Sequence, residues 1–424
     1  MSTEAMIWVL SGLATAGVIV RPFSWPEAIW AVAGAGLLVA LGLMPVGAAW
    51  AGIAKGADVY MFLTGMMLLS EVARREGLFD FLADAAVRFS RGSARRLFLL
   101  VYLVGVVVTV FLSNDATAVV LTPAVFAATQ AAKVDNPLPY LFICAFVANA
   151  ASFVLPISNP ANLVVFGGAM PPLWDWLRMF ALPSLAAIVA TYAVLRLWLR
   201  RDLQGAVAAA EDRPNLSGCG KIAAGGIIVT AIGLIGSSAL GHDLGAPTLI
   251  AGLLTTAVVL LIKRANPLPL AREISWGVLP LVAGLFIFVE ALDQTGVTGR
   301  LAELLKIAAK TPILGETPLW GAAAVGGVIA IASNLVNNLP AGLVAASAAH
   351  QAASPADMTG AILIGVDLGP NLSVTGSLAT ILWLTALRRE NQTISAGKFL
   401  ILGALAMPPA LLLALAALLL PALL

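Results

Sequence analysis

Charge is scarce in this chain. Asp, Glu, Lys and Arg make up 11% of its 424 residues, against roughly a quarter in a typical soluble domain. With 60% of the residues hydrophobic, no fold could hide so much apolar surface from water, which excludes a soluble globule and predicts a polytopic membrane protein. Cysteine and histidine are nearly absent, at two each. Cys144 and Cys219 lack metal-ligand spacing, so neither a disulfide framework nor a metal site is expected. Two distant thiols also cannot supply the three converging thiolates that tight binding of a thiophilic ion needs. A Walker A sequence is missing as well. Gly218-Cys-Gly-Lys221 is followed by Ile222 rather than Ser or Thr, and the upstream glycine is lacking. If the chain moves a solute, the energy must then come from an ion gradient or from a separate ATPase subunit. No Lys or Arg precedes the first apolar run at Met6, so a cleavable signal peptide is not expected. Neither a cofactor nor a nucleic-acid partner is expected.

What is present is a set of long apolar runs. A bilayer core needs about 20 apolar residues in a helix. Candidates in the first half are 6–20, 27–44, 57–73, 137–155 (continuing to 170) and 180–199, and in the second 221–239, 245–262, 276–293, 357–387 and 398–420. Two further regions are shorter and interrupted. Residues 97–112 and 116–131 flank Ser113-Asn114-Asp115, and residues 318–332 and 339–351 flank Ser333 to Asn338, with the Ser-Asn pair recurring 220 residues on. Short interrupted segments at matching places in two halves point to a transporter's site. The expected architecture is all-α, with two inverted repeats, about ten transmembrane helices, two re-entrant hairpins and two broken helices. The first repeat is 1–200, with its hairpin at 96–131 and broken helix at 137–170. A polar cytoplasmic linker follows at 201–220. The second repeat is 221–424, with its hairpin at 318–351 and broken helix at 357–387.

Basic residues orient these spans. If the loop holding Arg74, Arg75, Arg88, Arg91, Arg95 and Arg96 is cytoplasmic, then 19 of the 24 Lys and Arg fall on that side, as basic loops resist translocation. Lys55, Arg178, Arg300, Lys306 and Lys310 are the remainder. Five crossings per half invert the halves and put both termini in the periplasm of a bacterial inner membrane. Counting each hairpin as two crossings would leave this parity unchanged. Amphipathic stretches at 77–91 and 297–310 are expected along opposite membrane faces. Trp25, Trp30, Trp50, Trp174, Trp176, Trp276 and Trp320 are expected as an interfacial belt.

Polar groups in the breaks are where chemistry should reside. Leu155-Pro-Ile-Ser-Asn-Pro-Ala-Asn162 and Asp367-Leu-Gly-Pro-Asn-Leu-Ser-Val-Thr-Gly-Ser377 should unwind, because proline removes a donor and glycine loosens the helix. A proline kink alone would not need the amides and hydroxyls of Asn159, Asn162, Asn371 and Thr375. Tips and breaks meeting at mid-membrane would form one polar chamber. Asp115 is the carboxylate expected there, at an insertion cost of about 2.5–3.5 kcal/mol, with Asp367 the second. Both suit proton carriage, although Asp115 can also cap the helix after it. Glu290 and Asp293 read as interfacial charges, and His242 and His350 as solvated.

Three strings carry a resemblance. Phe111-Leu-Ser-Asn-Asp-Ala-Thr-Ala-Val-Val-Leu-Thr-Pro123, Asn149-Ala-Ala-Ser-Phe-Val-Leu-Pro-Ile-Ser-Asn-Pro-Ala-Asn-Leu163 and Val366-Asp-Leu-Gly-Pro-Asn-Leu-Ser-Val-Thr-Gly-Ser377 resemble arsenite efflux permeases (ArsB type) of the ion transporter superfamily. The resemblance implies extrusion of arsenite or antimonite in exchange for protons, in some members with an arsenite-stimulated ATPase subunit as partner. The superfamily's sodium-coupled dicarboxylate carriers place Ser-Asn-Thr at both tips. Here Asp115 and Leu335 stand at the third positions, which argues against twin sodium sites. On this reading Asn114, Thr117, Asn159, Asn162, Asn334, Asn337, Asn338, Asn371 and Thr375 bind substrate, while Asp115 and Asp367 carry protons. A sodium- or proton-coupled anion carrier of the same superfamily is the alternative, with a passive channel a further one. No nucleophile, base and orienting residue occur together, so an enzyme is not expected.

Overall fold

The computed structural model describes residues 2–420 apart from 168–169, 206, 209–214 and 311–318. Parts of three expected features, the 137–170 break, the 201–220 linker and the start of the 318–351 hairpin, therefore lie outside the described residues. Among the described residues the regular elements are helices, as expected for an all-α membrane protein.

In chain order the helices are α1 (Thr3–Val20), α2 (Glu27–Ala40), α3 (Val46–Lys55), α4 (Ala57–Arg75), α5 (Leu78–Ser90), α6 (Ala94–Phe111), α7 (Asn114–Ala116), α8 (Thr122–Ala131), α9 (Leu138–Ala150) and α10 (Pro160–Phe166). They continue with α11 (Leu173–Trp198), α12 (Gly218–Ala239), α13 (Gly245–Lys263), α14 (Pro267–Glu273), α15 (Val278–Gln294) and α16 (Val297–Lys310). The last are α17 (Leu319–Val336), α18 (Asn338–Gln351), α19 (Ala356–Leu368), α20 (Leu378–Arg389) and α21 (Ala396–Leu419). Six of them, α1, α6, α11, α12, α13 and α21, are individually long and apolar enough to cross a membrane. Two bent pairs, α3 with α4 at 49° and α14 with α15 at 44°, raise the number to eight. The expected ten included 27–44, 137–155 and 357–387. There α2, α9 and α19 run only 14, 13 and 13 residues, because the chain breaks at the predicted proline and glycine positions or turns early.

Two helices sit at the centre. Every residue of α9 from Pro139 to Ala150 is buried, as is Ala361–Leu368 of α19. A helix that is apolar all round must be wrapped by others, and these two are. Small residues let their neighbours approach closely, as in many membrane helix pairs. A Cβ on Gly365 of α19 would lie 2.3 Å from the Gly326 carbonyl oxygen of α17. Between the halves, a Cβ on Gly65 of α4 would lie 2.3 Å from the Thr248 carbonyl oxygen of α13.

The amphipathic stretches form α5 and α16. Glu290 pairs with Lys55 at 2.5 Å, and Asp293 accepts hydrogen bonds from Gln351 and Thr298. His242 and His350 are exposed. Trp25, Trp50, Trp174, Trp276 and Trp320 are exposed, but Trp176 is not. Its ring is fully buried and its Nε1–H points at the Phe153 and Val154 carbonyls, 3.2 and 3.3 Å away. The belt assignment fails at Trp176 because the unwound stretch after α9 leaves carbonyls that need a donor. Two points of the described linker are packed down, while most of its described residues are exposed. Leu203 and Val207 are buried, and the Val207 and Ala208 amides donate to Gly92 and Ala132.

Candidate functional site

The first tip is a capped restart. The backbone at Ser113 is extended, its Oγ accepts from the Ala116 N–H at 3.1 Å, and Asn114 Oδ1 accepts from the Asp115 N–H at 2.9 Å. Side-chain caps satisfy the orphan donors of a new helix start. Beyond α7 the helix widens into a π turn over Thr117–Leu121, a distortion common at functional sites. Thr117 Oγ1 lies 2.8 Å from Thr109 Oγ1 of α6, tying the two arms together.

The second tip is more strained. Asn337 has φ +73° and caps α18, its Oδ1 accepting from the Leu339 N–H at 3.3 Å. A positive φ on a side-chain-bearing residue persists only where its surroundings hold it. Here Asn337 Nδ2 donates to the Thr375 carbonyl at 3.3 Å, and the Asn338 amide donates to the Gly376 carbonyl at 2.9 Å.

The two breaks also end in capped restarts. Asn159 caps α10, its Oδ1 accepting from the Ala161 N–H at 3.0 Å, and Ser377 caps α20, accepting from the Thr380 N–H at 3.1 Å. Several expected binding residues instead hold the unwound backbone. Asn162 Nδ2 faces the carbonyls of Ser152, Leu155 and Pro156 at 2.9, 3.2 and 3.2 Å. Asn334 Nδ2 donates to the Ala330 and Gly369 carbonyls, both at 2.8 Å, while its Oδ1 accepts from Ser373 at 2.7 Å. Thr375 donates to the Asn334 carbonyl at 3.1 Å. Asn371 donates to the Phe146 carbonyl at 3.1 Å and accepts from Asn149 Nδ2 at 3.0 Å. Asp367 is fully buried, with Ser152 Oγ 2.7 Å from its Oδ2 and Asn159 Nδ2 donating to its Oδ1 at 2.8 Å.

Four residues of the expected set come together. Asn114, Asp115, Asn159 and Asn338 line one small cavity of about 20 Å³, joined by Ser377 from the second break. Val59 and Leu63 of α4 and Val278 and Val282 of α15 form its apolar wall. No basic side chain is among the described residues that line it. Thr117, Asn162, Asn334, Asn337, Asn371 and Thr375 do not reach the cavity; each bonds protein groups, although Asn162 Oδ1 is buried with no partner among the described residues. Asp115 also borders a second, wider cavity of about 520 Å³. Glu71, Arg74, Arg272, Glu273 and Arg389 line this vestibule. Of these, Glu71 binds Arg74 at 2.7 Å and the adjoining Arg75 at 2.8 Å, and Glu273 binds Arg75 at 2.9 Å. Among the described residues, the Asp115 carboxylate has no hydrogen-bond or ion-pair partner. Cys144 is buried in α9 and Cys219 lies away in α12, both free.

Sequence reasoning passed over Asn149, Ser152 and Ser377 as individual residues, although each lies in a quoted motif. The signal available was position. Asn149 is the polar residue that closes an otherwise apolar helix, and Ser377 directly precedes a helix restart.

The chain is 29% identical over 370 residues to an arsenical pump membrane protein of Escherichia coli (strain K12), covering 83% of this chain and 84% of the relative. The arsenical pump membrane protein of Yersinia enterocolitica is 29% identical over 365 residues, with the same coverage. The resemblance read from the three motifs is therefore matched across most of the chain. Among solved structures, the YdaH transporter of Alcanivorax borkumensis aligns with a TM-score of 0.58 at 17% identity, over 98% of this chain and 97% of that one. MtrF of Neisseria gonorrhoeae, described with a class of antimetabolite efflux pumps, aligns with a TM-score of 0.59 at 12% identity, over 99% and 94%. At these identities the likeness is one of fold. A family model described as citrate transporter, CitMHS, matches residues 6–367, and the chain belongs to that family of membrane transporters.

Proposed function

We propose that this transporter extrudes arsenite and antimonite from the cytoplasm in exchange for protons. The observation that carries the reading is the lining of the small chamber: three asparagine side chains, one serine and one carboxyl, with no cation. Trivalent arsenic at neutral pH is an uncharged trihydroxide. Amides both donate and accept, so such a lining can hydrogen-bond hydroxyls without a counter-charge. A site for a carboxylate anion would call for Arg or Lys in bonding reach. The printed names of the arsenical pump relatives support the same substrate.

On this reading Asn114, Asn159 and Asn338 contact the substrate, joined by Ser377. Thr117, Asn162, Asn334, Asn337, Asn371 and Thr375 hold the unwound segments that present them. Asp115, which lines both chamber and vestibule, carries the exchanged proton, with Asp367, bonded to Asn159, as the second carrier. Exchange of a neutral solute for one proton is electrogenic and draws about 2.3 kcal/mol per 100 mV. The vestibule carries the charges of the Arg-rich side, so we assign it to the cytoplasm. The protein then sits in a bacterial inner membrane with both termini in the periplasm and with 1–200 and 221–424 as inverted repeats. An arsenite-stimulated ATPase subunit would have the 201–220 linker to dock on.

Everted membrane vesicles with an imposed pH gradient test this. Arsenite uptake that follows the gradient and collapses with a protonophore is the expected result. A second reading, a coupled anion carrier, is favoured by Arg74, Arg272 and Arg389 in the vestibule and by the family description. Uptake of citrate or another carboxylate anion, with arsenite ignored, would establish it instead.

A further inference from the structure

Three oxygens around Ser152 share too few protons unless Asp367 supplies one. Ser152 Oγ lies 2.7 Å from the Asn149 carbonyl oxygen and 2.7 Å from Asp367 Oδ2. A hydroxyl has one hydrogen, and a carbonyl oxygen can only accept. Asp367 Oδ1 is already an acceptor, because Asn159 Nδ2 donates to it while Asn159 Oδ1 accepts from the Ala161 N–H, which fixes the amide's orientation. Every group is satisfied if Oδ2 carries a hydrogen. Asp367 then donates to Ser152 Oγ, and Ser152 donates to the Asn149 carbonyl. With an ionised Asp367, the Ser152 hydrogen must turn to Oδ2; the Asn149 carbonyl then keeps its backbone donors, Ala151 and Ser152 N–H, but faces Ser152 Oγ across 2.7 Å with no hydrogen between the two oxygens.

We propose that Asp367 holds a proton on Oδ2 in this conformation, and that Ser152 is a positioning residue whose hydroxyl reorients when that proton leaves. The proposal deepens the proton-exchange reading and rests on it for its role in transport. Deprotonation releases one proton, makes Asp367 an acceptor at both oxygens, and turns the bond from Asn159 into a charge-assisted one. Asn159 lines the chamber, so the amide facing the substrate tightens toward Asp367 when the proton is absent. The Asn149 amide links the same cluster to Asn371 at 3.0 Å.

Charged groups elsewhere leave this cluster alone. Of the helices packed against α19, α10 and α17 carry no titratable side chain. In α9 the Tyr140 hydroxyl donates to the Ala94 carbonyl, and the Cys144 thiol faces the Tyr140 carbonyl. His350 of α18, Lys398 of α21, and Asp175 and Arg178 of α11 are exposed. Tyr192 of α11 packs on Tyr102, and Arg196 lies in the last turn of that helix. None of these bonds Asp367.

The test is infrared difference spectroscopy on the purified, substrate-free protein between neutral and high pH. The expected result is a protonated-carboxyl band at neutral pH that Asp367→Asn removes and Asp115→Asn leaves in place. Ser152→Ala should keep the band and move it to higher frequency, because its acceptor is gone. Asn at 367 reproduces the protonated pattern, with Nδ2 donating to Ser152 and Oδ1 accepting from Asn159, so this variant should melt at the wild-type temperature. A band that survives Asp367→Asn, or stays put in Ser152→Ala, overturns the proposal. Ser152→Ala retains the carboxyl and decides the point alone if Asp367→Asn does not fold. No arsenite enters the measurement, so failure of the substrate reading leaves this result standing.

Discussion

Replacing Asn162 separates two roles that an asparagine in a broken membrane helix can play. Its side chain is fully buried, and its one amide nitrogen faces three carbonyls of the unwound stretch after α9. That nitrogen has two hydrogens, so at most two of the three contacts are full bonds at once. Asn162→Leu removes both and leaves the carbonyls of Ser152, Leu155 and Pro156 without this donor. At about 1–3 kcal/mol for each lost bond to a buried group, the expected destabilisation is about 2–6 kcal/mol. Thermal melting in detergent should record it as a clear drop in midpoint. Whatever protein survives should take up arsenite with an unchanged KM, since the side chain does not reach the chamber. Unchanged melting combined with a raised KM would refute this and return Asn162 to the substrate contacts.

Further outcomes can be stated. Asp115→Asn should abolish pH-driven accumulation, about 50-fold per 100 mV for a one-charge exchange, while leaving the melting temperature within a few degrees; pH-dependent uptake at wild-type levels in that variant would remove Asp115 from the coupling. Gly365→Leu should prevent accumulation of folded protein, because a Cβ there already meets the Gly326 carbonyl at 2.3 Å, whereas Gly36→Ala meets nothing within 4 Å and should stabilise by up to about 1 kcal/mol. Expression level and melting of the two variants check this pair. Trp176→Phe should lower the melting midpoint by the equivalent of about 1 kcal/mol, the net worth of one hydrogen bond, since its Nε1–H serves the Phe153 and Val154 carbonyls. Glu290→Gln should change stability by less than about 1 kcal/mol, because Lys55 in that pair is 62% exposed.

Local features of the chain foretold local features of the structure. Residues 137–155 read as an apolar span, and an apolar helix does form there, although α9 runs only 13 residues. Pro156, Pro160 and Pro370 cannot donate a backbone hydrogen bond, and the helices do stop around them. Of the two Ser-Asn pairs, Ser113-Asn114 stands at a restart, since short polar side chains cap helix starts whatever surrounds them, whereas Ser333-Asn334 lies inside α17 and Asn337 caps the second restart. These effects act over a few residues, so sequence alone determined them.

The destination of each polar side chain was a matter for tertiary structure. Asn159 and Asn162 are three residues apart in one motif, yet one lines the chamber and the other gathers carbonyls. An amide goes where unpaired backbone groups are, and that depends on how far the chain unwinds and which helix packs alongside. Asp367 finds its partners, Ser152 and Asn159, 215 and 208 residues away. Trp176 was drawn inward in the same way. Composition and breaks thus determined that this is a membrane protein with polar interruptions, because hydrophobicity and proline chemistry are properties of short segments. Only the folded arrangement decided which interruptions form the chamber, because a buried hydrogen bond is settled by whichever partner the packing brings within reach.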